Sequence, residues 1–226
     1  MSRGRFITFE GGEGAGKSTQ VRRLSARLAA GGCEVVTTRE PGGSPGGEAI
    51  RALLVTGEAD RWSPVTETLL MYAARRDHIE RVIQPALARG AWVVCDRFAD
   101  STRAYQGAGG GTDPALIAAL ETHVLENLRP DLTLVFDLPV EAGLARAEAR
   151  AGGESRFESK GLAFHERLRA AFRAIAAAEP ERCRVIDADP GPDAVEARIR
   201  EAVSAWRPDL LPQRVPAPGE GQGHAA

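Results

Sequence analysis

At 226 residues the chain reads as one domain, large enough to bury roughly 70% of the surface its unfolded form exposes. With 29 basic against 31 acidic residues the net charge is −2, so no global basic field points to nucleic acid or to an anionic membrane. Three widely spaced cysteines (Cys33, Cys95, Cys183) form no C-x-x-C pair, no run of 18 apolar residues occurs, and Met-Ser-Arg-Gly-Arg leads straight into a strand; a reducing cytoplasm is expected, without a disulfide framework, zinc site or membrane span.

The first apolar run, Phe6 to Phe9, has strand character, and Gly11-Gly12-Glu13-Gly14-Ala15-Gly16-Lys17-Ser18 directly behind it satisfies G-x-x-x-x-G-K-[ST]. Val21, Leu24, Leu28 and Ala29 then mark one face of a helix over about 17–30. In such a loop the glycines let backbone N–H groups turn inward around an anion, the lysine reaches the terminal phosphates, and the Ser18 hydroxyl serves magnesium. A plain glycine turn between buried elements is the bland alternative, and it leaves the lysine and the strand-to-helix register unexplained. Lysine stands at only two positions, 17 and 160, the other 27 basic residues being arginine. A compact ammonium fits between phosphates where a planar guanidinium is too wide.

Further strands are expected over 34–38, 91–95, 132–136 and 184–186, and helices over about 46–55, 65–88, 113–127, 140–150, 160–178 and 192–206. Strand-helix alternation implies a parallel sheet with helices on both faces, with ligands gathering at the carboxyl ends of the strands. The fold class is therefore α/β, a three-layer P-loop fold with a five-stranded parallel sheet. The four histidines show no metal-ligand spacing and are expected at surface or helix positions.

The strand ends carry the candidate chemistry. Arg39-Glu40-Pro41-Gly42-Gly43 follows the second strand, as either a bare turn or a ligand loop. Asp96 ends the third strand, placed to hold magnesium or its water, and Arg97 beside it offers a donor fork to an anion; a surface ion pair is the alternative. Residues 100–111 are polar and then glycine-dense, the pattern of a flexible loop, yet Tyr105 and Gln106 are groups suited to a base or sugar. Arg146 and Arg150 lie four apart on a helix end, and 151–155 form a hinge-like turn before Arg156; they are either a solvated face or a mobile lid at about 148–160. The kinase domain is assigned to 1–206, and the Pro/Gly-rich 207–226 is a tail expected to be disordered from about 212.

Together these segments resemble thymidylate kinase of the bacterial type, a P-loop nucleoside monophosphate kinase family. The matches are the stretch 9–20, Thr38 to Gly43, Leu69 to His78, Asp96-Arg97-Phe98 with Ser101 and Ala104-Tyr105-Gln106-Gly107, and Arg129 to Thr133. The resemblance covers residues 6 to 206 and implies phosphoryl transfer from ATP with Mg2+ to dTMP, giving dTDP and ADP, in a homodimer that feeds dTTP to DNA synthesis.

It also implies residue roles. Gly11, Gly12, Gly14, Ala15, Gly16, Lys17, Ser18 and Thr19 hold ATP together with Glu13, whose carboxylate meets the acceptor 3′-hydroxyl; Arg146 lies over the adenine. Arg97 and Arg51 hold the acceptor phosphate, with Arg39 and Pro41 beside them and Ser101 near both phosphate and base. Arg75 and Gln106 read the thymine edge, while Tyr105 closes off space for a 2′-hydroxyl. Ser18 and Asp96 form the metal site. The P-loop holds no arginine, so the catalytic cation falls to the lid, Arg156 first and Arg150 second. Met71 replaces the family's base-stacking phenylalanine; a thioether still presses on a ring at about 0.3–1.5 kcal/mol, without stacking geometry.

A kinase for another nucleoside monophosphate or a deoxynucleoside shares most of these features. A regulatory GTPase wants Asn-Lys-x-Asp and Asp-x-x-Gly motifs, and the only asparagine is Asn127. A nucleic-acid-dependent ATPase wants stacking aromatics along a basic groove, and aromatics make up 5% of the chain.

Overall fold

β-Branched and aromatic runs too short for helices form five strands: β1 (Phe6–Gly11), β2 (Val35–Arg39), β3 (Trp92–Asp96), β4 (Leu132–Asp137) and β5 (Cys183–Asp187). The computed structural model describes residues 3–58, 60–149, 157 and 160–207. All pairings are parallel, in the order β2-β3-β1-β4-β5. Phe9 and Arg39 both pair with Asp96, and Gly11 with Phe136, so the strands end along one edge. The chain leaves central β1 for β2 on one side and later reaches β4 on the other. A crevice opens at that reversal, and it is where an open α/β sheet binds its ligand.

Residue alternation along the strands sorts the core into two faces. Ile7, Phe9, Val94, Leu134 and Phe136 pack beneath α1 (Lys17–Ala30) and α9 (Pro192–Trp206), through Val21, Leu24, Leu28, Val195, Ile199 and Val203. Phe6, Val93 and Cys95 face the opposite layer, where α3 (Pro64–His78) continues through wide turns (Ile79–Ile83) into α4 (Gln84–Ala88). Pro85 cannot donate to a preceding carbonyl, and its ring crowds the residue four back; the widened turns lie directly ahead of it. The remaining helices are α2 (Pro45–Val55), α5 (Ala99–Thr102), α6 (Pro114–Leu125), α7 (Val140–Glu148) and α8 (Leu162–Ala178). The five-stranded parallel sheet with helices on both faces is thus the architecture expected from the sequence.

Residues 99–109 correct the loop expectation. They are helical, with α5 running on into π-type turns over Arg103–Gly109. Glycine content argued against a helix here, but Ala104, Tyr105 and Gln106 are buried and α8 packs along the segment. Tertiary burial overrides glycine's cost of about 1 kcal/mol per residue. Most of the expected lid and almost all of the tail lie outside the described residues.

Candidate active site

β1 delivers the chain into the P-loop at Gly11, and Gly16 in the left-handed region (φ 81°) turns it into α1. No side chain caps that helix, so its first N–H groups remain available to an anion. Gly14 (φ 66°) lies so close to α7 that a Cβ there would stand 1.9 Å from the Gly143 carbonyl oxygen. Lys17 folds back across the loop, donating to the carbonyls of Gly11 (3.1 Å) and Gly12 (2.6 Å). Burial lowers its ammonium to about 8, against the carboxylates of Glu13, Asp96 and Glu10 that favour the charge. Ser18 Oγ donates to Asp96 Oδ2 at 2.6 Å, keeping its lone pairs.

A cavity of about 390 Å³ spreads from this loop toward β2, α3 and α5. Glu13, Gly14, Ala15, Gly16, Lys17, Ser18 and Asp96 line it from the P-loop, the start of α1 and the end of β3. Arg39, Pro41, Arg51, Met71, Arg75, Arg97, Ser101, Tyr105 and Gln106 line the rest of it. Gly11, Gly12, Thr19 and Arg146 do not line it. Arg146 instead joins α7 to the loop after β5, donating to the carbonyls of Ala188 (3.0 Å) and Asp189 (2.7 Å). Arg150 and Arg156 lie outside the described residues.

Arg97 ties the cavity together. Its backbone is left-handed (φ 71°), a conformation costing a non-glycine residue roughly 1–2 kcal/mol. Its guanidinium donates to the Gly11 carbonyl (2.9 Å), Ser101 Oγ (3.3 Å) and Glu13 Oε1 (3.0 Å), and lies over the Tyr105 ring. Tyr105 donates its hydroxyl to the same Glu13 oxygen at 2.6 Å. Burial alone would raise the Glu13 carboxyl; the charges of Arg97 and Lys17 and the Tyr105 hydrogen bond outweigh it and lower the group to about 2. Arg51 donates to the Pro41 carbonyl, while Arg39 pairs with Glu48 at the exposed rim. Gln106 donates to Glu67.

Three polar residues that sequence reasoning did not single out support these groups. Glu10 accepts from Phe98 N–H (2.7 Å) and Ser101 Oγ (2.6 Å), fixing the chain directly after the left-handed Arg97. Burial, followed by the Asp100 charge, raises its carboxyl to about 8. The available signal was the one charged residue in the strand. Glu40 and Thr102 both accept from Arg75. Tyr72, adjacent to Met71, is no stacking substitute: its ring lies buried beneath Arg75 and does not line the cavity. His78 and His165 are on helices as expected, but both are buried.

The chain also has close counterparts among known proteins. A family model described as thymidylate kinase matches residues 9–199. A thymidylate kinase from Caulobacter vibrioides is 72% identical over 203 residues, spanning 90% of this chain and 97% of that protein. One from Bradyrhizobium diazoefficiens is 55% identical, spanning 93% and 92%. Among solved structures, a thymidylate kinase from Ehrlichia chaffeensis superposes with a TM-score of 0.73 at 33% identity, covering 89% of this chain and 99% of its own.

Proposed function

The chain belongs to the thymidylate kinase family and transfers a phosphoryl group from ATP to dTMP, and from that premise we propose how its cleft does so. The observation that carries the reading is the Arg97 guanidinium, bonded at once to the P-loop carbonyl of Gly11 and to Glu13. It stands between a triphosphate cradle and an acceptor chamber. Arg97 and Arg51 grip the acceptor phosphate, with Arg39, Pro41 and Ser101 around it. Glu13, held ionised, accepts the 3′-hydroxyl. Arg75 and Gln106 meet the thymine edge, Met71 presses on its face, and Tyr105 fills the space a 2′-hydroxyl needs.

Donor phosphates lie across the N–H groups from Gly11 to Thr19, with Lys17 leaving the loop carbonyls for the terminal oxygens. Arg146, held against the loop after β5, covers the adenine. Phosphoryl transfer spreads charge over three oxygens and asks the protein chiefly for alignment and neutralisation. The lid arginines, Arg156 first and Arg150 second, complete the neutralisation and exclude water on closure. Arg156→Ala accordingly lowers kcat by about 10³-fold, the scale of an arginine finger, with KM for dTMP little changed. A rise in KM alone, or no change in either constant, removes Arg156 from that role.

A magnesium ion fits the donor set at Ser18 and Asp96: two oxygen ligands, one a hydroxyl with free lone pairs. No cluster of three acidic, histidine or cysteine ligands exists among the described residues, as suits an ion that takes its other positions from phosphates and water. When bound, it neutralises β- and γ-phosphate charge; turnover lost in EDTA and restored by Mg2+ checks the requirement. We assign a homodimer, supported by exposed Val65 and Leu69 one turn apart on α3 and exposed Leu53 on α2, and testable by sedimentation. A cytoplasmic location agrees with the three free cysteines and is checked by fractionation. No helix among the described residues is long and apolar enough to cross a membrane.

A further inference from the structure

Arg75 lines the cavity and is only 2% exposed, and its donors are already distributed. Nε donates to Glu40 Oε2 at 2.7 Å, and Nη2 to the Phe98 carbonyl and to Thr102 Oγ1, both at 3.0 Å. Nη1 is buried without a partner among the described residues. An arginine grips phosphate through two parallel N–H donors on different nitrogens. With Nε and Nη2 both committed, that fork is closed, and one nitrogen remains, suited to a single carbonyl oxygen.

Glu40 is pinned in turn. Its Oε1 lies 2.9 Å from His78 Nδ1, and His78 Nε2 lies 2.7 Å from Thr38 Oγ1. The chain of contacts joins the end of β2, the turn after it and α3, and its members Glu40, Arg75 and His78 are all buried. Glu40 also opposes the Arg75 charge inside the protein, where a carboxylate counts for far more than at the rim. Arg97 also has both Nη atoms committed, to the Gly11 carbonyl and Ser101 Oγ and to Glu13. Its ion pair, however, lines the cavity with both side chains 17% exposed, so those bonds can be exchanged for an incoming anion where the buried Arg75–Glu40 pair cannot.

We propose that Glu40, held by His78, sets the polarity of acceptor binding: it closes the Arg75 fork and cancels its charge, so that this end admits a neutral base and refuses a phosphate. Glu40 and His78 are positioning residues, acting through Arg75. The inference rests on the reading of Arg75 as the base-contacting arginine.

Thymidine, which carries the base and sugar without the phosphate, is the probe, and calorimetry in the absence and presence of excess inorganic phosphate is the measurement. In the wild-type enzyme phosphate occupies the Arg97 end and leaves thymidine affinity unchanged. In Glu40→Gln thymidine binds about tenfold more weakly, the scale of one charged hydrogen bond, and phosphate weakens it further by competing at Arg75. His78→Gln, which keeps the Glu40–Arg75 pair but loosens it, shows a smaller loss of the same kind and decides the matter if Glu40→Gln does not fold. Thymidine affinity and phosphate indifference equal to wild type, even with a lowered Tm, overturn the proposal. Arg75→Ala separates the two levels. If it binds thymidine as wild type does, the reading of Arg75 itself fails. If it binds weakly while Glu40→Gln and His78→Gln bind normally, only the role given to Glu40 and His78 fails.

Discussion

Glu10 and Glu13 stand three residues apart and are shifted in opposite directions. Glu13 accepts from Arg97 and Tyr105, lies in the field of Lys17 and falls to about 2; Glu10, buried and facing the Asp100 charge, rises to about 8. The consequences for stability differ in sign. Glu10 holds its proton in the folded protein up to about 8 but releases it near 4.5 when unfolded, so its contribution is complete below 4.5 and is lost as pH rises through 8. Glu13 contributes above 4.5 and loses its effect only as pH falls toward 2. Between pH 5 and 7.5, below the range where Lys17 titrates, the wild-type Tm therefore carries a downward component with rising pH that Glu10→Gln removes, as calorimetry across about 2.5 pH units should register. A Tm slope identical in the two proteins would show that Glu10 titrates normally. Glu13 was legible from its place in the phosphate-binding motif. Glu10 was not, because a buried carboxylate announces its partners only once β3 and α5 have been laid beside β1.

The P-loop and α7 approach closely at the site. Gly14 and Gly143 meet without side chains, and a Cβ on Gly143 would stand 2.6 Å from the Glu13 carbonyl oxygen. Under the proposed function the loop carries the triphosphate, and this seam sets its distance from α7. Gly143→Ala gains about 1 kcal/mol of helix propensity and meets an overpacking cost of about 1–3 kcal/mol, so stability is unchanged or falls by up to about 2 kcal/mol. The loop must shift, however, and kcat/KM for ATP is expected to drop about tenfold or more. Steady-state kinetics with varied ATP measure it, and unaltered constants would mean that the seam has slack. Neither glycine could be paired with the other from the sequence, since nothing local links positions 14 and 143. The helix over 99–109 was hidden for a related reason. Its glycines state a local preference, while the packing of Tyr105 against Phe157, Phe164 and Phe172 that overrides it is long-range.

At the scale of the whole molecule the strands were the most readable part, because short β-branched and aromatic runs alternate with helical patterns, in the central strands as in the part-exposed edge strands β2 and β5. Their order was not written in the runs themselves; it follows from parallel crossovers around a central β1. That order brings Gly11, Arg39 and Asp96 to one edge, and the motifs quoted from separate stretches become one cavity. What the motifs left open was how the cations are apportioned within it. Lys17, Arg51 and Arg97 line the cavity and are proposed to hold its phosphates, while Arg75 is tied into Glu40, and Met71 stands where an aromatic ring was expected from the resemblance. The proposed division of the cavity into a phosphate end and a base end is therefore the central claim. It is tested most directly by kcat/KM for dTMP, dUMP, UMP, CMP and AMP, each assayed with saturating ATP. The structure predicts dTMP first and dUMP second, with the two ribonucleoside pyrimidines and AMP far behind; a preference for UMP, CMP or AMP would contradict it.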